Sequence, residues 1–257
     1  MTETKIAAII PARMGSSRYP GKPLLDIGGL PMIEHVRRRA LLCHDFSEVV
    51  VATCDQEIIE IIKKFGGDVV MTSPDHTMAS DRVAEVAHSL DCSHVVNVQG
   101  DEILTMPEDL KLMTNAINNN PDLPYLSATA IIENKEELSD RNIVKCFVTR
   151  TDKIFYCSRN ISKHDFVDNF EPLRKLLGVF AYKRDNIFEY GKLERTPLEI
   201  KESIDILRIL ENDLPMKSVL FSSGYPGIND PQEEQMIREI LQKDSQQGSV
   251  LEKILSF

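Results

Sequence analysis

At 257 residues, of which 42% are hydrophobic, the chain can bury one substantial core and reads as an ordinary globular protein. Its formal net charge of −10 excludes the broad positive face that nucleic acid or an anionic membrane requires, so any anionic ligand must be held locally. Five cysteines, widely spaced and without a C-x-x-C pair, suggest neither a disulfide framework nor a zinc site, and polar residues break every apolar run before the roughly 18 residues of a membrane span.

A cytoplasmic protein with no export signal is therefore expected. Along the chain, short apolar runs at 6–10, 49–53, 69–71 and 95–98 predict buried strands. Between them, 31–42, 56–65 and 80–90 carry apolar residues at helical spacing. Such alternation predicts an α/β fold whose mostly parallel sheet forms a nucleotide-binding core, with ligands at the C-terminal ends of the strands. After Pro124 the pattern changes to consecutive strands at 125–132, 143–149, 153–158 and 175–183, a strand-rich extension spanning about 124–185 of one 1–257 domain. Thr196-Pro197-Leu198-Glu199 predicts a capped helix running to about residue 212, and Asp230-Pro231-Gln232-Glu233 opens the last long helix.

The loop after the first strand carries the strongest chemical signal. Gly15 and Gly21 allow sharp backbone turns, Ser16 and Ser17 add donors, and Arg13, Arg18 and Lys22 supply charge-assisted contacts suited to a polyphosphate. It is not a P-loop, because Ser16 stands where the first glycine should fall and Pro23 where a magnesium-binding hydroxyl is needed. No G-x-G-x-x-G follows a strand, which argues against a nicotinamide enzyme. The plain alternative is a solvated connection, weakened by three cations within ten residues of an acidic protein. At the end of the fourth strand, Asn97-Val98-Gln99-Gly100-Asp101-Glu102 places a carboxylate where ligands collect; Asp101 reads either as a magnesium ligand beside a triphosphate or as a turn residue.

Together, Ile9-Ile10-Pro11-Ala12-Arg13, Gly15-Ser16-Ser17-Arg18, Gly21-Lys22-Pro23-Leu24, Gly29-Leu30-Pro31-Met32-Ile33-Glu34-His35-Val36 and Asn97-Val98-Gln99-Gly100-Asp101-Glu102 resemble the cytidylyltransferases of sugar acids, in particular the CMP-Kdo synthetase (3-deoxy-manno-octulosonate cytidylyltransferase) family. The likeness extends from Ile6 to about Leu241. It implies a homodimer, a Mg2+ cofactor, and transfer of CMP from CTP to a small anionic sugar-like acceptor in lipopolysaccharide biosynthesis. It further implies that Arg13, Lys22 and Asp101 are catalytic, and that Ala12, Arg13, Gly15, Ser16, Ser17, Arg18, Lys22, Ser80, Arg82 and Gln99 bind nucleotide. Gln99, Lys145, Arg159, Tyr182 and Glu199 would meet the acceptor, and Asp101 with Asn229 or Asp230 would hold the metal. Glu199 reads equally well as a capping-box residue, and Asp230 reads better as the N-cap of the last helix.

The chain departs from the family pattern at several points. Gly227-Ile228-Asn229-Asp230-Pro231 has an amide where the family has its second metal-binding carboxylate. Leu176 and Ile206 replace polar residues of the acceptor pocket, and Met78-Ala79-Ser80 replaces a Ser-Gly-Thr. Losing groups that pair with substrate hydroxyls points to a modified acceptor, such as an amino-substituted sugar acid. Two rivals stay open: a CTP-binding homologue without turnover, and a nucleotidyltransferase for a phosphorylated or phosphonate acceptor.

Overall fold

A computed structural model describes residues 4–15, 18–161 and 171–257. The strands are β1 (Ile6–Ala12), β2 (Asp26–Ile27), β3 (Leu30–Pro31), β4 (Phe46–Thr53), β5 (Asp68–Met71), β6 (His94–Val98), β7 (Tyr125–Ile131), β8 (Lys145–Val148), β9 (Lys153–Ser158), β10 (Leu173–Lys183) and β11 (Met216–Leu220). The helices are α1 (Met32–Leu41), α2 (Gln56–Lys64), α3 (Ala79–Ala87), α4 (Pro107–Asn119), α5 (Lys135–Ser139), α6 (Arg184–Lys192), α7 (Pro197–Glu202), α8 (Leu207–Glu211), α9 (Pro231–Lys243) and α10 (Ser245–Leu255). Among the described residues no helix is long and apolar enough to cross a membrane.

One nine-stranded sheet, in the order β5-β4-β1-β6-β10-β7-β11-β9-β8, organises the molecule. Its first four strands are parallel, as the strand-helix alternation predicts. β10 runs against both β6 and β7, so β7 and its parallel neighbour β11 point the same way as β6. The strand-rich stretch after Pro124 thus continues the same sheet. β1 is buried along its whole length because both faces are covered: Ala7 and Ile9 pack in the cluster containing Val83 and Ile187 of α3 and α6, whereas Ile6, Ala8 and Ile10 pack with residues of α1, α2 and α4. That two-sided burial turns a period-2 strand into a continuous apolar run.

Two predicted helices need correction. The segment expected to run from Thr196 to about 212 breaks after α7, where Ser203 adopts a left-handed conformation (φ 53°). The break is held from outside: the Arg159 guanidinium donates to Glu202 O (2.9 Å) and Ser203 O (3.4 Å), carbonyls that the interruption frees. The helix opened by Asp230 is followed by a further helix, α10, capped by Asp244, whose carboxylate accepts from Gln246 N (2.9 Å) and Gln247 N (3.0 Å). The Ser-Gln-Gln-Gly start of α10 has no amphipathic period to announce it.

His35, on α1, is wholly buried, its Nδ1 has no partner and its Nε2 meets Ile27 O. Burial holds its pKa down at about 4, against the pull of the Ile27 carbonyl. The unfolded chain, titrating near 6.5, takes up this proton first, so stability is expected to fall as pH drops from about 6.5 to 4, by up to about 3 kcal/mol. Denaturant midpoints measured across that range check this; His35→Gln should flatten the slope.

Candidate active site

The C-terminal ends of β1 and β6 lie side by side, and the loops leaving them form the site. Their closeness depends on Gly100, where a Cβ would sit 2.8 Å from Pro11 O. A third loop, before α9, packs on this pair through Gly227, where a Cβ would come within 2.7 Å of Asp101 O. Ile228 N donates to that same oxygen at 3.2 Å. Asn229 is thereby brought to the neighbourhood of Asp101 from more than a hundred residues away in sequence.

Two cavities meet here. One, of about 460 Å³, is lined among others by Ala12, Arg13, Lys22 and Arg82. The second, of about 760 Å³, is lined by Asn142, Arg159, Lys175, Asn229 and others. Arg18, Gln99, Asp101, Ser203 and Asp205 line both and so mark the junction. Of the loop cations, Lys22 Nζ donates to Asp101 Oδ2 (2.7 Å) and Ile228 O (2.8 Å). Arg18 donates to Asn142 Oδ1 (2.9 Å) and Asn229 Oδ1 (3.1 Å). Arg13 is exposed at the cavity rim. The arrangement presents three cations with exchangeable or open positions to a polyanion entering the smaller cavity. Gly15 is exposed in the same loop; Ser16 and Ser17 lie outside the described residues.

The carboxylates around the junction divide sharply. The Asp101 carboxylate is partly exposed and, among the described residues, meets Lys22. Glu102 turns its Oε1 to Gly178 N (2.8 Å), and burial, reinforced by the adjacent Asp101 charge, pushes its carboxyl up to about 7. Asp230 serves as the N-cap of α9, accepting from Gln232 N at 2.9 Å, with Glu233 closing the capping box. Asp230 thus takes the cap position that its place before Pro231 predicts. Asn229 keeps its side-chain oxygen at the cavity. Asp205, absent from the sequence expectations, accepts from Ser80 Oγ at 3.0 Å and stays close to the N-terminus of α3. Among the described residues, no group of three or more His, Cys, Asp or Glu side chains could hold a metal.

Several of the expected contact residues have protein partners. The Ser80 hydroxyl is buried against Tyr182 OH (3.1 Å) and Asp205, and Tyr182 itself is fully buried. Arg82 lines the smaller cavity and donates to Thr72 Oγ1 and to Ser73 O (3.3 Å). Glu199 is fully buried; its carboxylate accepts Thr196 N (3.2 Å) and the Arg208 guanidinium (2.6 and 2.9 Å). Lys145 is fully buried and spends its three ammonium hydrogens on Asp140 O (2.7 Å), Ile143 O (2.9 Å) and Arg159 O (2.6 Å). Arg159 lines the larger cavity, yet its guanidinium is committed to the carbonyls of Arg141, Asn142, Glu202 and Ser203. In these positions the two cations hold neighbouring loops together through backbone carbonyls. Lys175, which follows Arg174 in β10 and so shows no distinctive signal in the sequence, also lines the larger cavity and is absent from the sequence expectations.

The sequence matches a family model described as Cytidylyltransferase over residues 7–218. It is 34% identical to the 3-deoxy-manno-octulosonate cytidylyltransferase of Escherichia coli over 94% of this chain and 98% of that protein. Against the enzyme of the same name from Syntrophus aciditrophicus strain SB it is 36% identical, covering 92% and 97%. A solved structure of CMP:2-keto-3-deoxy-manno-octonic acid synthetase complexed with CTP superposes with a TM-score of 0.85 at 33% identity, over 94% of this chain and 100% of that one. A glucose-1-phosphate thymidylyltransferase structure from Bacillus anthracis, at 14% identity and a TM-score of 0.68, shares the fold. With the cation-bearing loop after β1 and the carboxylate after β6 facing one junction, these likenesses establish that the chain belongs to the cytidylyltransferase family and is a CTP-dependent nucleotidyltransferase.

Proposed function

We propose that the protein transfers CMP from CTP to 3-deoxy-manno-octulosonate or an amino-substituted relative, releasing pyrophosphate. The observation that carries this reading is the junction: Arg18, Gln99 and Asp101 line both cavities, one edged by the loop cations and the other large enough for a sugar acid. In the proposed reaction the acceptor's anomeric hydroxyl attacks the α-phosphorus of CTP and pyrophosphate leaves. Arg13, Arg18 and Lys22 hold the phosphates and offset the charge that grows on the leaving group, Lys22 exchanging Asp101 for phosphate oxygens. No nucleophilic side chain is needed, because positioning and electrostatics suffice for transfer of this type. Glu133 and Asp140 on the larger cavity favour including an ammonium-bearing acceptor.

One carboxylate and one amide carbonyl, both oxygen donors opening on the cavities, suit Mg2+, which completes its shell with phosphate oxygens and water. Asp101 and Asn229 would hold it, and when bound it would supply positive charge that offsets the charge of the phosphates. Replacing Asn229 by aspartate adds charge to this donor set, and Mn2+ affinity of the CTP-bound protein is expected to rise about tenfold. Paramagnetic titration checks this; an unchanged affinity would place Asn229 outside the metal's shell.

Homodimer formation is proposed through the aromatic face of β8 and β9, where Phe155 (54% exposed) and Tyr156 (42%) flank Phe147. A cytoplasmic location accords with the five unpaired cysteines. The test is pyrophosphate release with CTP, Mg2+ and a panel of 3-deoxy sugar acids, amino-substituted forms included, with Asp101→Ala as control. Release that needs both acceptor and Asp101 supports the reading. CTP binding with no release across the panel overturns it in favour of a non-catalytic homologue, a reading that Asn229 motivates; release only with phosphorylated or phosphonate acceptors would move the chain to a different acceptor class.

A further inference from the structure

The larger cavity contains three cations among its described lining residues: Arg18, Arg159 and Lys175. Arg159 is committed to four backbone carbonyls, as described, and Arg18 sits at the junction with two amide oxygens. Lys175 differs. Its side chain is only 5% exposed, and its ammonium meets Glu137 Oε1 at 2.7 Å and Gly224 O at 3.4 Å. An ammonium has three donors, and among the described residues these contacts use two of them on a side chain that lines the cavity. Gly224 is part of the same construction, since a Cβ there would fall 2.9 Å from Lys175 Nζ.

Glu137 lines the same cavity, on the five-residue helix α5, and its second carboxylate oxygen accepts Glu133 N at 2.8 Å. A carboxylate on a short helix, bonded to a nearly buried lysine in a cavity for an anionic acceptor, occupies the place that a ligand carboxylate would take.

We infer that Lys175 reads the acceptor's carboxylate, with Glu137 as the internal anion that occupies its ammonium until the acceptor arrives. The inference rests on the proposed sugar-acid acceptor. Exchange keeps the lysine paired throughout, while the displaced Glu137, 16% exposed in its side chain, keeps the Glu133 N–H and must turn its freed oxygen to water; an acceptor without a carboxylate cannot make the exchange. Lys175 is thus a specificity-determining residue, and Glu137 sets the free energy that the acceptor must overcome.

The experiment measures KM for the acid acceptor and for its carboxamide, together with the Kd of CTP, in the wild-type protein, Lys175→Met, Glu137→Gln and the double variant, with thermal melting of each. Lys175→Met is expected to raise KM for the acid about 10- to 100-fold, abolish the preference for acid over amide, and leave CTP affinity unchanged. Glu137→Gln is expected to lower KM for the acid by removing the competing anion. The double variant, which removes both charges and so strands neither, separates reading from structure: a KM that stays raised supports the inference, and one that returns to the wild-type value overturns it. Retention of the acid preference in Lys175→Met also overturns it while leaving the proposed function intact. Wild-type protein that turns over no sugar acid overturns both.

Discussion

Lys22→Met is expected to lower the turnover number for pyrophosphate release by about 10²- to 10³-fold, the scale of removing one preorganised charge from a developing anion. Lys22 is only 12% exposed in its side chain and is held by Asp101 and Ile228 O, so its ammonium is aimed at the junction before ligand arrives. A methionine keeps the length and apolar stem and loses only the charge. The loss should therefore appear mainly in the turnover number rather than in folding, and Asp101, 28% exposed, can be solvated once its partner is gone. Steady-state kinetics beside a melting curve provide the check. A change below about fivefold would show that Arg13 and Arg18 carry the phosphate charge without Lys22.

Glu199→Ala is expected to destabilise the fold by about 3–5 kcal/mol, the range for stranding one partner of a buried ion pair. Glu199 is fully buried and Arg208 is 2% exposed in its side chain. The pair is bidentate, at 2.6 and 2.9 Å, and Arg208 also meets Asp81 Oδ1 at 3.0 Å and stacks over Tyr190 with its guanidinium carbon 4.4 Å from the ring centre. Burial works to raise the Glu199 carboxyl, but the bonds from Arg208, Thr196 N and Arg195 together outweigh it and hold the carboxyl below its ordinary range. With Glu199 gone, Asp81 alone must balance a cation that water barely reaches. Equilibrium denaturation measures the loss, and Glu199→Gln, which still accepts a hydrogen bond, should cost less. A change under 1 kcal/mol in the alanine variant would show that Asp81 and Tyr190 suffice to hold Arg208.

The same comparison shows why this residue was ambiguous in the sequence. Thr196-Pro197-Leu198-Glu199 announces a capping box by local spacing alone, and the Glu199 contact to Thr196 N is present. Arg208, nine residues on, joins Glu199 only because the chain breaks at Ser203 and folds back. Local spacing could not reveal that break, because its support comes from Arg159, about forty residues upstream.

The sequence by itself determined the α/β class, the buried parallel strands, the cation-bearing loop after β1, the acid after β6 and the cap at Asp230. Each of these is written in residues a few positions apart, where strand and helix periods, turn chemistry and capping operate. Tertiary structure decided which charges are available to a ligand. The resemblance offers Lys145 and Arg159 as acceptor contacts and the fold surrounds both with carbonyls, whereas Lys175 reads as an ordinary strand residue until α5 sets Glu137 beside it. Lys22 and Asp101 stand 79 residues apart, and Arg18 and Asn229 stand 211 apart. A side chain's chemistry is intrinsic, but its partners are set by strand order and loop crossing, which bring distant segments together and which no local pattern encodes.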